Sequence, residues 1–251
     1  MMTKNGYRDG VDKWEMPRCS VAVDLAVLTI RQNSLQALAV VRKFPPYQGR
    51  FALPGGFLED DEDLDGAAQR ELAEETGLDA ARLAVRQLGS YGAPGRDPRG
   101  RVVSVCYVAV MPDLPLPVAG GDAAAAQWLP VDRLQHGPRR LAFDHCRLLA
   151  DAVEYARDQL AQTTLATAFC GEEFTIAQLR EVYEIVWGVE LDPSNFHRKV
   201  TSTADFVVPT GTRVSGVGGR PPALYRAGTG TRLHPAIVRD AVVAHRGKGS
   251  K

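Results

Sequence analysis

Residues 55–78 read GGFLEDDEDLDGAAQRELAEETGL: a Gly-Gly turn, a run of acids, then a helical pattern that stops at Thr76-Gly77. Asp63 is a good N-cap for that helix, and Gly77 suits the position just past its last turn. Along it Glu71, Glu74 and Glu75 fall at i, i+3 and i+4, so three carboxylates share one face. At ~5 Å and an effective dielectric of ~20, each like-charge pair repels by roughly 3 kcal/mol. Such a cluster needs a cation, or one of its acids must keep its proton. Hard oxygen donors of this kind suit Mg²⁺ or Mn²⁺.

Around this stretch the pattern is one of mixed strands and helices. Residues 18–31 alternate apolar side chains (Val21, Val23, Leu25, Val27) with small or polar ones, the period of a half-buried strand. Asn33-Ser34 reads as a turn into a second strand, Leu35 to Val41. Arg42 to Arg50, with Pro45-Pro46, reads as a loop, and Phe51 to Leu53 as a short strand feeding the Gly-Gly turn. Further strands are expected over residues 83–91, 101–111 and 123–129, and a long helix over 139–160. Strands that enclose helices without strict alternation point to an α+β fold, an α/β/α sandwich.

The second part of the chain differs in kind. Thr175 and Gln178 make a capping box for a helix with Leu179, Val182, Tyr183, Val186 and Trp187 on one stripe. Gly188 ends it, and Asp192-Pro193 starts another helix at once. That is a helix-turn-helix. An apparent hairpin follows: Phe206 to Pro209, a Gly-rich tip over Gly211 to Gly219, and Ala223 to Arg226. The expected division is 1–160, with the long helix at its end, 161–230 for the winged helix-turn-helix, and 231–251 as a basic tail.

The 251 residues have no net charge, but residues 193–251 hold ten basic side chains against Asp205 and Asp240, a net +8. Residues 1–192 therefore carry −8. An acidic body with a basic end suggests contact with nucleic acid. No apolar run approaches the ~20 residues of a membrane span, and the N-terminus has no apolar signal core, so a cytoplasmic protein is expected. Cys19, Cys106, Cys146 and Cys170 stand far apart, which disfavours structural zinc.

The opening stretch fits G-x5-E-x7-R-E-U-x-E-E-x-G-U without a mismatch, through Gly56, Glu62, Arg70, Glu71, Leu72, Glu74, Glu75, Gly77 and Leu78. This resembles the Nudix box, and the resemblance extends over roughly residues 18–135. It implies that Glu71, Glu74 and Glu75 ligate Mg²⁺ or Mn²⁺, with Glu74 and Glu75 catalytic if the domain hydrolyses its ligand. It also implies that Glu62 and Arg70 hold loop and helix in register. Gly55 and Gly56 would let backbone approach phosphates closely. The loop from Gly95 to Ser104 is similar to that of Nudix proteins handling ADP-ribose, which makes Arg96, Arg99 and Arg101 candidates for ligand contact. Tyr91 and Phe51 are weaker candidates for stacking a base. One departure stands out: Ala125 occupies the position three before Trp128 where an acid is often found, and Asp122 is the one acid nearby.

The whole, over roughly residues 18–226, resembles the Nudix-related transcriptional regulators, bacterial repressors of NAD-metabolism genes. Besides the box, Leu141-Ala-Phe-Asp-His145, Asn195-Phe-His-Arg-Lys199 and Gly219-Arg-Pro-Pro-Ala-Leu-Tyr225 carry that resemblance. It implies a homodimer on a palindromic double-stranded DNA operator, responding to ADP-ribose or a related nucleotide. Ser194, Asn195, His197 and Arg198 would face the major groove, and Lys199, Arg213 and Arg220 would contact phosphates. His145 and His197 lack partners at metal-ligand spacing and are expected to be structural. Residual or absent ADP-ribose pyrophosphatase activity is the enzymatic expectation. The segment after Arg226 lies outside the pattern and is expected to add loose phosphate contacts or nothing.

Overall fold

The structure, a computed structural model, describes residues 18–79, 83–137, 141–214 and 221–243. Its first part is one mixed sheet built around β1 (Ser20–Arg31). β2 (Ser34–Arg42) returns antiparallel to β1 through a turn in which Gln32 and Asn33 both have positive φ. β6 (Val102–Val110) runs parallel on the other side of β1, flanked by β5 (Arg86–Tyr91). β3 (Phe51–Ala52) and β7 (Ala123–Pro130) pair with β2, and the short β4 (Gly55–Phe57) pairs with β1 opposite Ala22 to Asp24.

Alternation along β1 assigns the two faces. Val23, Leu25 and Val27 pack with Ala67, Ala68 and Leu72 of α1 (Leu64–Thr76). Ala26 and Leu28 join Leu148, Leu149, Ala152 and Val153 of α3 (His145–Gln162). Each fully buried aliphatic side chain of this kind contributes ~1.5–3 kcal/mol. The arrangement is the expected α/β/α sandwich. A short α2 (Val131–His136), which the sequence pattern did not reveal, connects β7 to α3.

Besides the start of β5, at Arg86 rather than residue 83, two boundaries differ from expectation. α3 begins at His145 rather than near residue 139, because Phe143 has φ +53° and the Ala142 amide donates to the Phe51 carbonyl, 2.7 Å. Residues 138–140 lie outside the described residues. The second concerns the wing: β8 (Val207–Arg213) continues through Gly211, at φ +80°, before pairing back with β9 (Ala223–Ala227). The remainder of the tip, residues 215–220 with Arg220, is outside the described residues.

The helix-turn-helix forms as its caps dictate. α4 (Ile176–Trp187) starts on the Thr175–Gln178 capping box and ends at Gly188, φ +67°. α5 (Pro193–Ser202) starts on Asp192, whose carboxylate accepts from the Asn195 amide, 2.7 Å. Tyr183 joins three elements: its ring meets Trp187 and Phe196 edge-on, and its hydroxyl donates to the Leu160 carbonyl of α3, 2.8 Å. Arg157 Nε donates to the Val186 carbonyl, 3.0 Å, so α3 is fixed to α4 at more than one point. The apolar core runs unbroken from the sheet through α3 into the helix-turn-helix.

Residues 231–243 are not a loose extension. Leu233, Ile237 and Val242 are buried in the same core. Arg246, Lys248 and Lys251 lie outside the described residues.

Phe196, fully buried between α4 and α5, is the test of this packing. Phe196→Ala should cost ~3–5 kcal/mol. Chemical denaturation should show the loss, and an unchanged midpoint would contradict the assigned core.

Candidate functional site

A cavity of about 440 Å³ opens where β4, α1, the 94–99 loop, the start of β7 and the residues before α3 meet. Glu71, Glu74 and Glu75 all line it, together with Gly55, Gly56, Arg70, Arg96 and Arg99. Local structure explains the placement. The N-cap and C-cap of α1 set its bounds, so its i, i+3, i+4 face meets the β4 backbone. Gly55 (φ +153°) lies against Val23 and Asp24 of β1, and a Cβ at Gly56 would overlap the Glu71 carboxylate. These glycines therefore admit the protein's own strand and carboxylate, a different reason from the phosphate approach expected of them.

The crowding of acids is relieved in two ways at once. Arg70 bonds Glu62 (2.6 Å) and Glu71 (2.8 Å) and reaches Glu74 at 3.5 Å, and its Nη2 also donates to the Phe57 carbonyl. The hydrogen bond to Glu62 raises the guanidinium pKa and lowers that of Glu62. Glu75 is treated differently: its Oε2 accepts from the Gly55 amide, 2.9 Å, and Arg70 makes no contact with it. Burial pushes Glu75 up to about 8 despite that amide, with Glu71, Asp122 and Asp24 adding to the rise. Burial likewise raises Glu71, against the pull of Arg70. Among the described residues, no three His, Cys, Asp or Glu side chains are gathered closely enough to hold a metal ion as they stand. The donor set nevertheless suits a hard divalent cation. Three carboxylates line one wall, and burial penalises the charged form of two of them until a cation arrives.

Behind this wall lies a polar network that the sequence reading missed. Asp24, 5% exposed, is on the α3 side of β1. It accepts hydrogen bonds from Ser104 and from Arg96 (3.3 Å). His145 Nδ1 accepts from the Leu53 amide, 2.9 Å, which puts the ring proton on Nε2, 3.3 Å from Asp24. Burial lowers the His145 pKa and keeps the ring neutral. The signal was present as one acid inside an otherwise apolar strand.

Arg96 departs from its expected role. It forks onto Asp144 (2.6 and 3.0 Å) and touches Asp24, with its side chain only 4% exposed. Its cavity-facing position is thus held by carboxylates, not open to an incoming phosphate. Burial alone would lower its pKa, but Asp144 and Asp24 outweigh that and raise it. Arg99, with its side chain 43% exposed, is the accessible arginine of this loop that lines the cavity. Asp97 holds it at 2.7 Å, while the guanidinium lies 4.6 Å from the Phe57 ring centroid and 5.5 Å from that of Phe143. Arg101 bonds the Gly92 carbonyl and does not line the cavity. Arg42 and Lys43, read only as loop, do line it, and Arg42 lies over Phe143 at 4.8 Å. Tyr91 and Phe51 belong to the core. Among the described residues, the phenyl rings lining the cavity are those of Phe44, Phe57 and Phe143. Asp122 lines it too, whereas Ala125 sits on β7 opposite Val41.

On the second module, Ser194, Asn195, His197 and Arg198 are exposed along α5 while Phe196 and Val200 are buried beneath them. Lys199 is half-buried, and Arg213 is exposed on the wing, donating to the Pro221 carbonyl, 2.8 Å. No helix among the described residues is long and apolar enough to cross a membrane.

Glu75 gives a test that needs no ligand. Its folded value of about 8 lies above the ordinary 4.5, so between the two the folded state keeps a proton that the unfolded chain has lost. Stability of the metal-free protein should therefore fall as pH rises through that window. Glu75→Gln should flatten the fall in denaturant titrations run in chelator. The same slope in both proteins would show that Glu75 is not the group responsible.

Comparison with known proteins agrees with this geometry. The NUDIX domain family matches residues 22–151, and the NrtR DNA-binding winged helix domain matches residues 166–227. The chain is 33% identical over 216 residues to the ADPR responsive transcriptional repressor NtrR of Acinetobacter baylyi, covering 85% of this chain and 84% of that protein. The crystal structure of Shewanella oneidensis NrtR complexed with a 27mer DNA aligns with a TM-score of 0.65 at 31% identity, over 82% of this chain and 93% of that one. The NUDIX domain of the same Shewanella protein, complexed with ADP ribose, aligns with a TM-score of 0.51 at 33% identity, over 56% and 90%. With the acid-lined cavity in the first module and the exposed α5 in the second, the chain belongs to the NUDIX family and carries an NrtR-type DNA-binding winged helix.

Proposed function

We propose that this protein is a transcriptional repressor of NAD biosynthesis or salvage genes, with a winged helix that binds DNA and a Nudix domain that senses ADP-ribose. The observation that carries this reading is the joining of two sites by one helix: α3 starts beside the cavity and ends against α4 of the helix-turn-helix. In this reading Arg99, Arg42 and Lys43 meet the diphosphate. Phe57 and Phe143 offer faces for a base. Glu71, Glu74 and Glu75 would hold Mg²⁺, which when bound neutralises diphosphate charge. Ser194, Asn195, His197 and Arg198 read base edges, while Lys199, Arg213 and Arg220 contact phosphates. A two-fold dimer would read half-sites about one helical turn apart in a palindromic operator. Ligand alters repression only if it binds the DNA-competent and incompetent states with different affinity.

A second reading is favoured by Asp122. It lines the cavity beside an intact box, so slow Mg²⁺-dependent hydrolysis of ADP-ribose would let the protein consume its own effector. Loss of a general base typically costs about 10²–10⁴ in rate, so the absence of an acid at Ala125 fits slow turnover rather than none.

A gel-shift titration on promoter DNA of NAD-synthesis or salvage genes, with ADP-ribose and Mg²⁺ and with AMP followed in the same tube, tests both. Specific binding that responds to ADP-ribose supports the first reading, and no specific shift sinks it. AMP release that Glu75→Gln eliminates would establish the second. Arg198→Ala should abolish specific binding and leave the Nudix fold intact; undiminished promoter affinity would remove α5 as the reading helix. Phe57→Ala removes an exposed ring without touching the core. It should weaken ADP-ribose binding by roughly 5- to 150-fold, the worth of one base–aromatic stack. Calorimetry showing parent-like affinity would rule out Phe57 as the base platform.

A further inference from the structure

Residues 231–243 follow the winged-helix match, which ends at residue 227. Their first half lies on the last turn of α3: the Leu233 amide donates to the Gln162 carbonyl (2.8 Å) and the Ile237 amide to the Ala161 carbonyl (2.9 Å), with Thr163 and Arg232 forming a bridge. Their second half lies at the start of α5. The Val242 carbonyl accepts from the amide of Asp192, the residue that caps α5, at 2.7 Å, and Val243 forms a bridge with Leu191. Leu233, Ile237 and Val242 are at most 2% exposed and share the apolar cluster of Leu160, Trp187 and Phe196.

We propose that this segment is a positioning element: it sets the DNA-reading end of α5 relative to α3, and ligand occupancy of the cavity reaches α5 through it. The inference rests on the proposed function for the two sites it joins. α4 makes the other connection, through Tyr183, Arg157 and Trp187, and Tyr183 also packs edge-on against Phe196 within α5, but along the chain Gly188 and the turn to Leu191 stand between that helix and the α5 cap. The 231–243 segment bypasses the turn. It donates backbone hydrogen bonds to α3 at one end and accepts one from the α5 cap at the other, immediately before Ser194, Asn195, His197 and Arg198. A displacement of the far end of α3 is therefore applied directly to the residues that begin the reading helix.

The test uses the full chain, with Ile237→Ser, Val242→Ser and the conservative Ile237→Val. Three quantities are read: ADP-ribose affinity by calorimetry, operator affinity by fluorescence anisotropy, and the ratio of operator affinities with and without ADP-ribose. For the serine variants, ADP-ribose affinity should stay within about twofold, operator affinity should fall about tenfold or more, and the ratio should move toward one. Ile237→Val should restore the parent values. A serine variant that keeps the parent ratio, whether or not its operator affinity falls, overturns the proposal, because packing alone would lower affinity without uncoupling it. Hydrogen exchange on the unmodified protein gives a second measurement independent of any variant's folding. ADP-ribose should change protection at Asp192, whose amide bonds Val242, and a response in α4 with none at Asp192 overturns the route. If the parent's operator binding ignores ADP-ribose, the proposed function fails first and this inference with it. Retained response in the parent with an unaltered ratio in the variants defeats this inference alone.

Discussion

Carboxylate charge gathered in a partly buried wall is the constraint from which the rest of the cavity follows. Four glutamates of the 55–78 stretch stand within 4 Å of a single arginine, and Glu75, the remaining glutamate of that stretch, is not among them. Arg70 settles the outer acids and pins the acidic loop to the helix. Glu75 has one backbone amide instead, and burial raises its pKa to about 8. Both routes that electrostatics allows for such a cluster are represented side by side: an internal cation, Arg70, and a carboxyl whose pKa burial raises. Under the proposed function, a divalent ion entering the wall would compete with Arg70 for Glu71 and with a proton for Glu75, which would tie metal affinity to pH.

The same accounting organises the back of the cavity. Asp24 is an acid in the middle of the sheet, and its burial is tolerated because Arg96, Ser104 and His145 all address it. Each of those partners comes from a different segment. Arg96 in turn anchors Asp144, so the start of α3 is tied electrostatically to the central strand. The floor of the cavity and the beginning of the long helix are thus one network.

Local features of the sequence were legible to the residue: the caps of α1, the capping box of α4 and Asp192-Pro193 at the start of α5; alternation marked β1 as a strand, but as half-buried, whereas both its faces are buried from Val23 to Thr29. These depend on neighbours within a few positions. The fate of Arg96 depends on Asp24, 72 residues away, and on Asp144, 48 away, so a pattern that marks Arg96 as a cavity residue cannot say that carboxylates already hold it. The start of α3 was misread because Leu141 to Asp144 continue an acceptable helical composition. Only the contact with Phe51 and the positive φ of Phe143 break it. Leu233, Ile237 and Val242 have no helical or strand period, and their burial follows from the surfaces they cover, not from spacing.

An 18-residue α3 has a mechanical consequence of its own. At 1.5 Å of rise per residue it is a lever arm about 27 Å long, and a tilt of roughly 5° at one end moves the other by about 2 Å. Its near end is held by the Arg96–Asp144 ion pair and by the contact of His145 with Asp24, and its far end by apolar packing and hydrogen bonds to backbone. Charged contacts respond to what enters the cavity, whereas close-packed contacts move as a body. Under the proposed function, a rearrangement of the contacts at the near end of the helix would become a displacement of about 2 Å beside α4 and α5.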